Sequence, residues 1–307
     1  MTIESGNPCI KNHVRQSQTM KSTIFYALTS LFTATPAFAV DVSPGAYIPA
    51  PAGKTIAMFY LGGGQASEYH PEEGSDITHD TTLKTESALL RLFYMLDVSE
   101  TRVQLQVAIP YGSQDLKLNG RKIGSDSGFA DPFVAVTAWP INDPKNKRYL
   151  GVSGYLFLPL DAYESDHALN MGTNRYSTAG QIGYSEAWGA WRLDVNADVT
   201  FYGDNERSTV NHKTLEQEPT YVLQPWFSYT LQNKITTSLG FTKTWGGNSE
   251  LEGIDTGRRT DSLRARAGIG YWVRPDTQLY AEFARDLEVD GGYKFDGTGF
   301  LRLTHVF

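Results

Sequence analysis

The sequence predicts an all-β fold, a transmembrane antiparallel up-and-down β-barrel of about twelve strands. Three observations carry that prediction. Apolar and polar residues alternate at a period of two, most clearly from Trp191 to Tyr202, and the pattern recurs to the last residue. Within that stretch Leu193, Val195, Ala197, Val199 and Phe201 alternate with Arg192, Asp194, Asn196, Asp198 and Thr200, so one face is oily and the other polar. Connections alternate long and short, a rhythm that outer loops and periplasmic turns produce and Greek-key sandwiches do not. An even strand count returns both termini to one side, as in bacterial single-chain barrels.

The front of the chain reads as a targeting signal. Residues 1–19 are polar and unpatterned, and Met20-Lys21 opens an apolar run from Ile24 to Phe32 that leads to Ala37-Phe38-Ala39, the form of a secretory signal with an A-x-A cleavage site. The expected divisions are an upstream extension over 1–19, a signal peptide over 20–39, a proline-rich periplasmic or lumenal lead-in over 40–54 and the barrel over 55–307. Met20 is then the expected start, and the mature chain begins near Val40 with 268 of the 307 residues. The apolar run is too short to span a bilayer as a helix, and no later stretch reaches the roughly 20 apolar residues that spanning needs. Cys9, the only cysteine, falls in the removed part, so no disulfide, thiolate metal site or cysteine nucleophile is expected. Removing Lys11, Arg15, Lys21 and Glu4 takes the formal net charge from −7 to −9, which argues against nucleic acid as a partner.

Each element follows in order. The lead-in carries Pro44, Pro49 and Pro51, which suits extended chain. Strands are expected over Thr55–Glu68, Thr81–Leu96 and Thr101–Tyr111, the second and third separated by a short turn at Val98 to Glu100. A Gly- and Asp-containing loop to Ser127 precedes a fourth strand around Pro132–Trp139, and the turn after it delivers a fifth over Arg148–Leu160. Arg175–Tyr184 and Trp191–Tyr202 are the sixth and seventh, joined by the compact SEAWGA turn. Thr220–Thr230, Ile235–Trp245, Asp261–Val273, Gln278–Asp286 and Gly299–Phe307 complete the set. Gly62-Gly63-Gly64 lacks the helix and lysine of a phosphate loop and reads as strand near a rim or bulge.

An arginine facing lipid at the bilayer midplane costs roughly 2–4 kcal/mol. Arg264 and Arg266, two residues apart beside an Ala and Leu face, are therefore expected to point into the lumen. The same reasoning gives a lining of Arg91, Arg102, Arg192, Arg264, Arg266 and Arg302 against Asp194, Asp198, Glu282 and Asp286, polar and slightly basic. These arginines could attract anionic solutes, as charged rings do in pores, or pair with the acids and fill the barrel. Repulsion between Arg264 and Arg266 demands either a lining role or acidic partners across the strands.

Tyr and Trp residues cluster near strand ends, where interface girdles belong. Phe307, with Leu303 and Leu301 behind it on one face, has the form of the closing strand read by barrel-assembly machinery, although His305 occupies a usually apolar position. Chemistry finds little support. Gly151-Val152-Ser153-Gly154 lacks the spacing and the following helix of a nucleophile elbow. His70 and His79 with their neighbouring carboxylates, and Asp161, Glu164 and Asp166, match no compact metal-ligand motif. No cofactor and no metal are expected.

Several blocks of residues, in order, resemble the outer-membrane proteins named for their association with the meta-cleavage pathway of phenol degradation. They are the lead-in Tyr47 to Gly53 with Phe59-Tyr60 after it, Gly128 to Pro132, Leu158 to Tyr163, Asn170 to Arg175, and Tyr202 to Asn205. Asp161 stands where that pattern has a glycine. The resemblance implies a twelve-stranded channel in the outer membrane of a Gram-negative bacterium that admits small, often hydrophobic or aromatic compounds; it does not imply catalysis. The expected partners are outer-membrane lipid and lipopolysaccharide, the assembly machinery and a small-molecule solute. No energy-coupling segment is apparent, so passage would be downhill. A barrel enzyme acting on lipid and a structural barrel with a filled lumen are the competing readings.

Overall fold

The computed structural model describes residues 41–160, 163–231 and 234–307. The expected signal segment, Cys9 and Asp161 lie outside the described residues. Alternating sequence becomes long strands: β1 (Thr55–His70), β2 (Thr82–Val98), β3 (Thr101–Leu118), β4 (Arg121–Phe129), β5 (Phe133–Asp143), β6 (Arg148–Phe157), β7 (Ser177–Trp188) and β8 (Trp191–Tyr202). After the short β9 (Leu215–Gln217) come β10 (Thr220–Thr230) and β11 (Ile235–Gly246). Two further short strands, β12 (Ser249–Leu251) and β13 (Ile254–Asp255), precede β14 (Asp261–Arg274), β15 (Thr277–Asp290) and β16 (Gly292–Val306).

Every pairing in the main sheet is antiparallel. β1 pairs with both β2 and β16, and β2 pairs with β3, which closes the ring. β4 lies beside the Tyr111–Leu118 half of β3 and β5 beside its Arg102–Ala108 half. β4 and β5 are thus successive halves of one position, broken at Ala130-Asp131-Pro132, and the thirteen-stranded sheet is a barrel of twelve positions. β9, β12 and β13 form a separate small sheet in the outer loops. The register of β1 on β16 shifts on either side of Ala66, just after the three glycines.

Two expected loops are strand instead. The chain before Ser127 is the β3–β4 hairpin, turned at Asn119 (φ 47°) and Gly120 (φ 78°), the positive-φ pair of a two-residue hairpin turn. Between Asp286 and Gly299, β15 runs straight into β16 around Gly291 (φ 79°). The physical reason is the same in both. Above the bilayer the outward face meets water, as at Ser113, Asp115 and Lys117 of β3, so the oily half of the alternation disappears while hydrogen bonding continues. Conversely β6 stops at Phe157, short of the expected Leu160, at the approach to Pro159.

The outward face is a belt of exposed apolar residues that includes Leu61, Leu105, Ile109, Val136, Ile182, Leu239, Phe241, Phe283 and Leu301. Aromatic groups border it. Trp191 stacks on Phe227 at the end carrying the strand starts of β1 and β8, taken as periplasmic, while Tyr221 stacks on Trp245 and Tyr111 meets Phe129 edge-on at the outer end. Buried polar side chains, among them Gln106, Gln181, Asp198, Gln224, Arg266 and Glu282, face the lumen.

Candidate functional site

The lumen is built in three levels, of which the lead-in makes the floor. Residues 41–54 enter the barrel and turn back through the hydrogen bonds from Ala46 N to the Ser43 carbonyl (3.2 Å) and from Ile48 N to the Gly45 carbonyl (3.1 Å) before joining β1. The wall satisfies backbone groups that this irregular segment cannot pair within itself. Val42 N donates to Gln224 Oε1 at 3.2 Å, and Trp226 Nε1 donates to the Val42 carbonyl at 3.0 Å. Trp139 Nε1 donates to the Tyr47 carbonyl at 2.9 Å, and Arg102 Nη1 donates to the Ala50 carbonyl. Tyr47 anchors the plug. Its hydroxyl lies 2.8 Å from both Ser153 Oγ and Gln181 Oε1, and its ring rests on Gly151 and Gly183, directly paired across β6 and β7. Val42 and Tyr47 pack with Ile56, Phe93, Met95 and Trp139 in one apolar cluster.

Above the floor the inward arginines divide into two sets. Arg192 pairs with Asp194 (2.9 Å) on its own strand, and Arg102 with Asp97 (2.5 Å). Arg264 and Arg266 find acidic partners across the β14–β15 ladder, Asp286 at 2.6 Å and Glu282 at 2.7 Å. Arg266 also reaches Asp41 of the plug (3.4 Å), Gln224 (2.8 Å) and Thr242 (3.0 Å), with its guanidinium 4.6 Å from the Trp226 ring centroid. Asp198, the remaining acid of the expected lining, accepts from Gln181 at 3.2 Å and Gln224 at 3.4 Å. A cavity beside the plug tip is lined by Asp41, Arg264, Arg266, Glu282, Thr298 and Phe300.

Arg91 and Arg302 form the second set. They stand on β2 and β16, on either side of Tyr60 of β1, and donate to the side-chain oxygens of Gln106 (3.1 Å) and Gln278 (2.9 Å). Around them is an inward aromatic cluster. Tyr60 and Tyr280 both pack against Phe300, and Phe133 against Tyr155 and Phe157, with Leu89, Ala108, Ala135 and Ala179 completing the wall.

The roof is the loop after β6. Leu169 packs with Ala66, Leu83 and Leu116, and Met171 lies against Gly112, where a side chain would collide with it. Asp131, in the break between β4 and β5, accepts from Thr173 N (2.9 Å), from the Thr173 hydroxyl and from Leu160 N (3.4 Å). Asn205 accepts from Asn174 Nδ2 (2.8 Å) and donates to the Thr173 carbonyl (3.1 Å). The Arg175 guanidinium lies over Tyr202 at 4.6 Å, and burial pulls its pKa down from the usual value. Three of the sequence blocks singled out above, around Asp131, Thr173 and Asn205, therefore meet in one hydrogen-bonded roof. Because β6 ends at Phe157 and β7 starts at Ser177, this loop also covers the edge of β4, which has no strand partner on that side among the described residues.

All ten residues of the expected lining lie on inward faces, but sequence reasoning missed those that give the lumen its shape. Tyr47, Gln224 and Trp226 hold the plug; Tyr60, Tyr280 and Phe300 pack together on the inner wall. Inward aromatic residues carry no polar mark, and the glycine pair under Tyr47 is the signal that could have found the anchor. Ser153 has hydroxyl partners, Tyr47 and Thr137 (2.7 Å), rather than a base. His70 sits between Glu68 (2.9 Å) and Asp76 (3.0 Å). Glu164, Asp166 and His167 cluster on the exposed surface of the outer loop.

A family model described as "Putative MetA-pathway of phenol degradation" matches residues 66–303. Among solved structures, an outer-membrane channel from Pseudomonas putida F1 is similar at 26% identity over 87% of this chain and 100% of that one, with a TM-score of 0.82. The transport unit of the autotransporter AIDA-I from Escherichia coli shares the fold at 10% identity, covering 92% and 97% of the two chains with a TM-score of 0.55. The β domain of the Bordetella autotransporter BrkA does so at 12% identity, covering 83% and 99%, with a TM-score of 0.50. No curated protein matches the chain.

Proposed function

The chain belongs to the phenol-degradation MetA-pathway family, and from that membership we propose that it is an outer-membrane channel for passive uptake of small hydrophobic or aromatic organic molecules in a Gram-negative bacterium. One observation carries the choice of solute. Midway through the barrel Tyr60, Phe133, Tyr155, Phe157, Tyr280 and Phe300 form an inward aromatic cluster with a few placed polar groups, the make-up against which a small apolar solute binds. The solved channel it resembles supports the channel role, and the belt of exposed apolar residues fits an environment of lipid and lipopolysaccharide. The plug makes the resting lumen a closed compartment, so passage requires the lead-in or the roof to move. No described group supplies a nucleophile held by a base, and the reading is non-catalytic.

The test must use a membrane with a lipopolysaccharide leaflet, because a plain phospholipid bilayer does not hold back such solutes. Cells expressing the chain should take up the neutral dye 1-phenylnaphthylamine several-fold faster than cells without it. Equal rates would overturn the proposal.

A further inference from the structure

Of the six inward arginines, four have a carboxylate within ion-pair distance. Among the described residues Arg91 and Arg302 have none. Each guanidinium carries five N–H donors; each of these two donates to a glutamine, and both reach the hydroxyl of Tyr60 between them. Both Nε atoms are buried without a partner. Arg302 is only 7% exposed. Burying a cation without an anion is costly, and structures ordinarily avoid it. Aromatic faces offset part of that cost: Arg91 lies 5.1 Å from the Phe93 centroid, and Arg302 lies 4.6 Å from Tyr280 and 5.8 Å from Tyr60. A ring face is not a counter-ion, however, and both Nε donors stay unused. Glu282, two residues along the same face of β15 from Tyr280, is already held by Arg266 (2.7 Å) and the Tyr280 hydroxyl (3.0 Å).

We propose that Arg91 and Arg302, on either side of Tyr60, receive the carboxylate of an amphipathic organic acid whose apolar body lies against Phe133, Phe157 and Phe300. This rests on the channel reading and narrows it: the solute is a small apolar molecule carrying one carboxylate. Two guanidinium groups suit a carboxylate better than two lysines would, because planar paired donors match its two oxygens. Phe300, which packs against Tyr60 and Tyr280, also lines the cavity at the plug tip.

The test compares two probes with one apolar body, 4-phenylbutyrate and 4-phenyl-1-butanol, binding to the full refolded chain in lipid nanodiscs at neutral pH by calorimetry. A hydrogen bond to a charged group contributes about 1.5–3 kcal/mol. The acid should therefore bind about ten- to a hundredfold more tightly than the alcohol. Arg91→Gln with Arg302→Gln should abolish that preference while leaving the alcohol's affinity in place. Heat-modified mobility on a gel checks that the variant is folded, and the wild-type comparison stands without it. Equal affinity for acid and alcohol in the wild type, or a preference that survives the double substitution, overturns the carboxylate site. Either result leaves the channel reading to the uptake of neutral 1-phenylnaphthylamine, which uses neither probe. Failure of both probes to bind overturns the site as well.

Discussion

A single methyl group on the wall should open the plug. Gly183 of β7 and Gly151 of β6 are direct cross-strand partners, and together they form the bare slot under the Tyr47 ring. A Cβ added at Gly151 would stand 2.5 Å from Tyr47 Cδ1, and one at Gly183 would stand closer still. No carbon atoms tolerate that approach, and the neighbour in the way is a ring buried to 4% exposure, with the Gly151 face of the slot behind it. In Gly183→Ala the ring must leave. Expelling it forfeits burial of the kind whose loss costs about 3–5 kcal/mol for a large aromatic side chain. The two hydroxyl contacts at 2.8 Å go with it, although Ser153 keeps Thr137 and Gln181 keeps the Tyr155 hydroxyl at 3.0 Å. A loss of about 3 kcal/mol raises the population of the unplugged state by roughly two orders of magnitude.

The matched control is Gly180→Ala, three residues along the same strand, where an added Cβ meets nothing within 4 Å. Refolded wild type and both variants would be compared in planar bilayers, with thermal unfolding to establish that each barrel is intact. The expected result is frequent or sustained large-conductance openings in Gly183→Ala and wild-type behaviour in Gly180→Ala. If Gly183→Ala conducts as the wild type does, Tyr47 is not what closes the floor. If both variants open alike, the effect is a weakened β7 and the reasoning from the slot fails.

Three other outcomes follow from the same geometry. Arg266→Gln leaves Glu282 buried without its cation and frees Asp41, so stability should fall by about 3–5 kcal/mol in urea unfolding, and adding Glu282→Gln should recover part of it; an unchanged midpoint would mean the pair is hydrated. Asp131→Ala removes the acceptor that ties Thr173 and Leu160 to the break between β4 and β5, which should weaken the roof by about 1.5–3 kcal/mol and speed its proteolysis from outside about tenfold or more, with no change in barrel melting. Deleting Phe307, which is 63% exposed and contributes one backbone bond to Thr55, should reduce the assembled fraction in cells and leave refolding in detergent unchanged. Equal assembly in cells would remove the terminal residue as a recognition signal.

What the sequence made legible is what the bilayer dictates. Inside the membrane each strand must show lipid an apolar face, so period two marks the strands from β1 to β16 and sends Arg264 and Arg266 inward. Where that demand ends, so does the signal. The β3–β4 hairpin carries Ser113, Asp115 and Lys117 outward and reads as loop, although Asn119-Gly120 marks its turn in plain view. The floor was less legible still. A proline-rich segment is extended for local reasons, and nothing local says that its Tyr47 occupies a slot left by two glycines that are more than thirty residues apart in sequence. The roof falls between these cases: Asp131, Thr173 and Asn205 stood out as blocks of residues, but only the fold shows that they hydrogen-bond to one another.

The division of the arginines also bears on how solutes are chosen. Six arginines read from sequence suggest a positive lumen, yet Arg192, Arg264 and Arg266 each lie within 3 Å of a carboxylate oxygen. A pair at that spacing acts at a distance as a dipole, and its field fades well within the barrel's width once ions and water screen it. Such pairs hold strands and plug in place; they give little reason for one small ion to be favoured over another. Arg91 and Arg302 differ because no carboxylate among the described residues pairs with them. Their charge lies among aromatic side chains, where screening is weak and an apolar body would add to binding. Selection in this barrel should therefore follow the shape and head group of an organic solute more closely than the sign of a salt ion.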